Sequence, residues 1–173
     1  MLSTKMEKAL NEQIVMEGNA SNKYLAMSVW CADIGLDGAA TFFLHHSEEE
    51  HSHMMKLVKY LQDADRKPII PGFGKPKADY DNIKEVISAA YENEKQVTQS
   101  IYELVDLSLK EKDHQTHNFL QWYVAEQLEE EVLMRQIIDK VKIIGEGAHS
   151  LYYIDQVLTE VTQQTMANET DQQ

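Results

Sequence analysis

Four long segments with helical periodicity, separated by breaks that run short, long, short, constrain this chain more than anything else in it. The first runs from about Thr4 to Asp33 and stops near Gly35 and Gly38, and the second from about Leu36 to Ala64. The third starts at Asp81 or Asn82, both good N-cap residues, and reaches about Glu111. Asp113 can cap the fourth, which reaches Ile144 before Gly145 and Gly147 break it. Helices of ~28 residues are ~42 Å long at 1.5 Å rise, which suits a bundle. With 3 Pro and 7 Gly in 173 residues, little interrupts them.

The connections set the topology. Short breaks make the first and second helices one antiparallel hairpin, and the third and fourth another. Between the pairs, Asp65 to Tyr80 contains Pro68, Pro71, Gly72, Gly74 and Pro76. A loop that long can cross the bundle and set the third helix parallel to the second. A short fifth helix, about His149 to Val161, carries Leu151, Ile154, Val157, Leu158 and Val161. It cannot bury that face alone, so it docks on the bundle or on another subunit. The expected fold class is all-α: one domain over residues 1–162, then a polar tail, 163–173, expected to be disordered.

Each helix has an apolar seam at three- and four-residue spacing, and each seam turns polar near its midpoint. Reading along the four seams, the interruptions are Glu17; His46, Glu50 and His53; Glu94; and Gln127 with Glu130. In an up-and-down bundle these midpoints lie at one height, so Glu17, Glu50, His53, Glu94, Gln127 and Glu130 should converge. The spacing repeats: 33 residues separate Glu17 from Glu50 (50 − 17) and Glu94 from Gln127 (127 − 94), and each second member has a partner three residues on. Side chains at i and i+3 share a helix face, so each pair can point at one ion. A lone Glu in a seam, or His53 alone, is more often a structural residue than a ligand. Six at matched height and spacing are not.

Four carboxylates in an apolar interior cost many kcal/mol if all stay ionised. Either some take up protons or cations neutralise them. Two divalent ions match four negative charges, and carboxylate with imidazole suits Fe²⁺, Mn²⁺ or Zn²⁺. The formal charge of −13 argues against nucleic acid as a partner. No apolar run approaches the ~18 residues of a membrane span. The lone Cys31 excludes a disulfide framework. With no secretory leader at Met1 to Lys8, cytoplasmic residence is the default expectation.

These residues resemble the ferritin-like di-iron carboxylate proteins, whose pattern is a Glu from each of two helices plus a Glu-x-x-His from each of the other two. Glu50-His51-Ser52-His53 matches one pair, whereas the second is Gln127-Leu128-Glu129-Glu130. Haem-containing relatives usually keep that second histidine. The chain to about Val161 looks like a bacterial non-haem ferritin, most specifically in Leu10 to Gln13, Met27 to Cys31 and Asn118 to Glu131.

The resemblance implies Glu17, Glu50 and His53 on a first iron, Glu94 and Glu130 on a second with Glu50 bridging, and Gln127 hydrogen-bonding beside it. It also implies a third, more exterior iron on Glu49, Glu126 and Glu129, sharing Glu130. Without it, those three read as a solvated acidic face. Tyr24, two turns beyond Glu17, is either an aromatic core residue or a partner of a ligand carboxylate that can supply an electron. Trp122 reads as packing, His51 as a surface histidine, and His114 with His117 as a solvated helix start.

The implied activity is ferroxidation: Fe(II) taken up as substrate, oxidised by O₂ or H₂O₂ and stored as ferric oxyhydroxide inside a homo-oligomeric shell of 24 subunits, with no haem. The alternative is a ferritin-like di-iron oxidase or peroxidase that stores nothing. Gly18, beside Glu17, costs about 1 kcal/mol of helix stability for no reason legible in the sequence.

Overall fold

The computed structural model describes residues 2–171. Its helices are α1 (Thr4–Asp33), α2 (Asp37–Asp63), α3 (Ile83–Glu111), α4 (His114–Ile144) and α5 (Ser150–Asp171). Three of them start on side chains that accept an otherwise orphaned amide. Ser3 accepts from Met6, Asn82 from Glu85 and Asp113 from Thr116, at 3.0, 3.0 and 3.1 Å. Asn82, rather than Asp81, is therefore the cap of the third helix. α1 ends on Gly35, in the left-handed region at φ 79°. Gly38 lies inside α2 instead of ending α1.

α2 begins at Leu36, which has no side-chain cap. Asp155 of α5 replaces it, its carboxylate accepting the amide of Ala39 at 2.8 Å. Gly38 makes that approach possible. A Cβ there would lie 2.1 Å from Thr159 Oγ1 and 2.5 Å from the Asp155 carbonyl. α5 thus docks against α2 and α4 of its own chain, burying Ile154, Leu158 and Val161.

The tail differs from the sequence expectation. α5 does not stop near Val161 but continues through Asp171. The tail's last two residues, 172–173, lie outside the described residues. No Gly or Pro interrupts residues 163–171, and Gln, Met, Ala and Glu are good helix formers. Thr162 and Thr165 also bond back to Leu158 and Val161 in the preceding turn.

The apolar core is in two pieces. One joins the C-terminal half of α1 (Tyr24, Met27, Cys31) to the start of α2 (Ala39, Phe42, Phe43), the start of α3 (Ile83 to Ala90) and the end of α4 (Met134 to Val141). The other joins the start of α1 (Met6, Leu10, Ile14) to the ends of α2 and α3 and the start of α4. α2 and α3 therefore begin at the same end of the bundle and run parallel, and the segment over 64–82 spans its length. This is the all-α, four-helix bundle with a long crossover that the break lengths dictate.

α1 carries the crossover. Asn11 and Asn19 accept the amides of Ile69 and Gly74 at 2.7 and 3.1 Å. Between them the Phe73 ring sits against Gly18, where a Cβ would come within 2.1 Å of it. That contact accounts for the glycine. Among the described residues no helix is long and apolar enough to cross a membrane.

Candidate metal centre

The gap between the two apolar clusters is filled by side chains from all four long helices. Glu17 on α1, Glu50 and His53 on α2, Glu94 on α3, and Gln127 and Glu130 on α4 are all buried. Ligand atoms of Glu17, Glu50 and His53 lie within 4.8 Å of one another.

Hydrogen bonds hold one side of this layer and leave the other open. Gln13, a turn before Glu17, donates to Glu17 Oε1 at 2.8 Å and is itself held by the Ser100 hydroxyl at 2.5 Å. Gln127 donates to Glu94 Oε2 at 3.1 Å. The Tyr24 hydroxyl donates to Glu94 Oε1 and, at 3.4 Å, to the Ala90 carbonyl. Tyr24 is thus both buried in the core and bonded to a candidate ligand. Tyr123 pins α2 in place by donating to the His53 carbonyl at 2.7 Å. Against these, Glu17 Oε2, Glu50 Oε2 and Glu130 Oε2 are buried with no hydrogen-bond partner. Native interiors seldom leave one such oxygen unpaired. Imidazole nitrogens lie 3.4 Å from two of them, His53 Nδ1 from Glu50 Oε2 and His46 Nε2 from Glu130 Oε2, and carboxylate with imidazole is a donor set that suits a divalent cation.

The electrostatics follow from burial. Desolvation raises the carboxyls of Glu17 and Glu50, the latter well above the usual range because Glu94, Glu17 and Glu130 add repulsion. Burial, with Glu130 beside it, pushes Glu94 up to about 7. Burial, then Glu94, also raises the Tyr24 phenol, so it stays a donor. Burial lowers His53 to about 4, which keeps its imidazole neutral and its lone pair available.

Glu130 goes the other way. Burial pushes its pKa up, but His46, Nε2 3.4 Å from Glu130 Oε2, brings the net shift below the ordinary value. His46 is raised to about 9: burial alone would lower it, and Glu130 reverses that. The imidazolium of His46 is thus a positive group set against this acidic layer.

The Ferritin family model, the ferritin-like domain, matches residues 7–144. The chain belongs to the ferritin family. It is 44% identical over 161 residues to the bacterial non-heme ferritin of Campylobacter jejuni, covering 93% of this chain and 96% of that one. Identity to the bacterial non-heme ferritin of Escherichia coli O6:H1 is 41% over 159 residues, or 92% and 96% of the two chains. An open-pore ferritin from the hyperthermophilic archaeon Archaeoglobus fulgidus superposes with a TM-score of 0.89 at 36% identity, covering 92% of this chain and 98% of that one.

In this ferritin the residues expected to hold a third iron do not gather as the first set does. Glu49 and Glu126 are half-buried and Glu129 is exposed. Glu126 Oε1 lies 3.8 Å from His53 Nε2. Glu49 faces His45 and His46, at 3.1 and 3.7 Å from their Nδ1 atoms. Among the described residues, the sets of three or more metal-competent side chains within 4.8 Å are Glu17–Glu50–His53 and His45–His46–Glu49.

Trp122 sits edge-on to the His53 ring at 5.2 Å between centroids, with the Lys56 ammonium 3.7 Å above it. His51 and His114 are exposed and His117 half-buried. Sequence reasoning passed over Gln13, His45 and the partner of His46. The available signals were an amide one turn before Glu17 and a seam histidine one heptad before His53.

Proposed function

We propose that this ferritin binds two Fe(II) ions per subunit in the mid-bundle layer, oxidises them and stores the product as ferric mineral. Glu17, Glu50 and His53 take the first ion. Glu94 and Glu130 take the second, Glu50 bridges, and Gln127 stays hydrogen-bonded beside it. The reading rests on one observation: Glu17, Glu50, Glu94 and Glu130, one from each of the four long helices, are buried together between two apolar clusters.

Two Fe²⁺ ions offset four carboxylates, so binding removes the repulsion that raises Glu50 and Glu94. Each iron gives one electron. Together they reduce O₂ to H₂O₂ with two protons, or H₂O₂ to two waters, again with two protons. The hard carboxylate oxygens favour Fe³⁺ over Fe²⁺ and assist the transfer. Tyr24, hydrogen-bonded to Glu94, orients that carboxylate. Ferric iron then hydrolyses to oxyhydroxide and releases protons in the cavity of a shell of 24 copies. A third iron on Glu49, Glu126 and Glu129, sharing Glu130, belongs to the same proposal, as does cytoplasmic residence.

The test is anaerobic loading with Fe²⁺, addition of O₂, and the ultraviolet absorbance of ferric products, with particle mass read on the same sample. The parent should oxidise iron rapidly and elute as a mineral-filled shell, and Glu50→Ala with His53→Ala should lose the fast phase. Equal rates would remove the site assignment. A small oligomer that turns over without mineral would favour an oxidase or peroxidase.

A further inference from the structure

Nothing in the proposed reaction uses His45 or the side of His46 that faces away from Glu130. Both rings are buried, on consecutive residues of α2, and Glu49 closes over them from one turn later. Their ligand atoms lie within 4.8 Å of one another. His45 Nδ1 is 3.1 Å and His46 Nδ1 3.7 Å from Glu49 Oε2.

We propose that His45, His46 and Glu49 form a second metal site, beside the di-iron layer, for a borderline divalent ion such as Zn²⁺ or Co²⁺. Two imidazoles and one carboxylate carry a single negative charge. That donor set suits a divalent ion and gives Fe³⁺ far less than the carboxylate-rich layer does. The two sites therefore differ in kind, one stabilising the ferric product and one holding ions in the divalent state.

The rest of His46 fits the role. Its Nε2 faces Glu130 Oε2, 3.4 Å away, which leaves Nδ1 as the ring nitrogen on the side of His45 and Glu49. A metal on Nδ1 fixes the proton of the neutral ring on Nε2, which then donates to Glu130. One ion at His46 Nδ1 completes the carboxylate–histidine–metal arrangement that orients ligands in many metal sites. The Phe42 carbonyl, 3.1 Å from Nδ1, gives up that contact but keeps its helical partner. The inference rests on the family-level reading only in that both sites take metal. His45 and His46 are its own; Glu49 is shared with the third iron, so an ion on the two histidines competes with that iron for it.

The experiment uses the metal-free full-length protein. In Glu17→Gln/His53→Gln, which disables the first set of ligands, bound Co²⁺ should still show the visible absorption of imidazole coordination. Adding His45→Gln should abolish that band, and adding Glu126→Gln should leave it. No Co²⁺ band, a band indifferent to His45→Gln, or one removed by Glu126→Gln alone would each overturn the proposal. The single variant His45→Gln gives a second reading. Zn²⁺ bound per subunit, counted by competition with a chromophoric chelator, should fall by about one, and an unchanged count is contrary. Ferrous oxidation by the parent, followed separately, reports on the di-iron reading without bearing on this one.

Discussion

Replacing Glu94 by Gln should make the metal-free protein more stable at pH 8 while weakening its hold on metal. Glu94 is fully buried, and its pKa is raised from 4.5 to about 7. Between those values the folded state holds more protons than the unfolded chain, so stability falls as pH rises through that window. Above pH 7 the ionised carboxylate costs about 3 kcal/mol, at ~1.4 kcal/mol for each tenfold change in proton affinity. Gln carries no such cost and still accepts from Tyr24. It loses the charged acceptor of Gln127, which offsets about 1 kcal/mol. The net gain of about 2 kcal/mol corresponds to roughly 4–8 °C in a chain of this size. Circular dichroism melts of both proteins, metal-free, at pH 8 and pH 4 measure it. At pH 4 both carboxyl states are protonated and the gain should vanish, leaving only the Gln127 deficit. A variant that melts below the parent at pH 8, or by the same margin at both pH values, would refute the argument that unneutralised charge burdens this layer.

Two further outcomes follow from the same geometry. Because Glu94 is raised to about 7, anaerobic Fe²⁺ loading at pH 6.5 should expel up to about one more proton per subunit from this group than loading at pH 9. Affinity should weaken as pH falls through 7, and indicator absorbance in weak buffer checks both; proton release that does not vary with pH is the contrary result. Gly18→Ala should lower stability by about 1 kcal/mol, since displacing the Phe73 ring outweighs the helix propensity gained. In a Phe73→Ala background the sign should reverse to a gain of about 1 kcal/mol in urea unfolding, and destabilisation in both backgrounds would exclude Phe73 as the reason for the glycine.

Much of this was legible in the chain. Asn82 and Asp113 read as caps because a short polar acceptor before an apolar period has few other uses. The convergence of Glu17, Glu50, His53, Glu94, Gln127 and Glu130 read from seam register alone, because bundle helices of equal length bring their midpoints to one height. What stayed hidden depends on long-range contact. Phe73 over Gly18 joins a loop to a helix more than fifty residues away, and no local periodicity records it. Asp155 capping α2 is likewise a meeting of distant segments. His46 was visible as a seam residue, but periodicity says only that a side chain faces inward, not that Glu130 waits opposite. The tail's helix was missed because polar composition was weighed above helix propensity, though nothing in residues 163–171 breaks a helix.

Anomalous diffraction from crystals loaded anaerobically with Fe²⁺ puts the account to its hardest trial. Two iron peaks should lie in the layer between the apolar clusters, one against Glu17 and His53, the other against Glu94 and Glu130, with Glu50 reaching both. Iron found only on outer acidic surfaces, with the layer closed by protonated carboxyls, would contradict it.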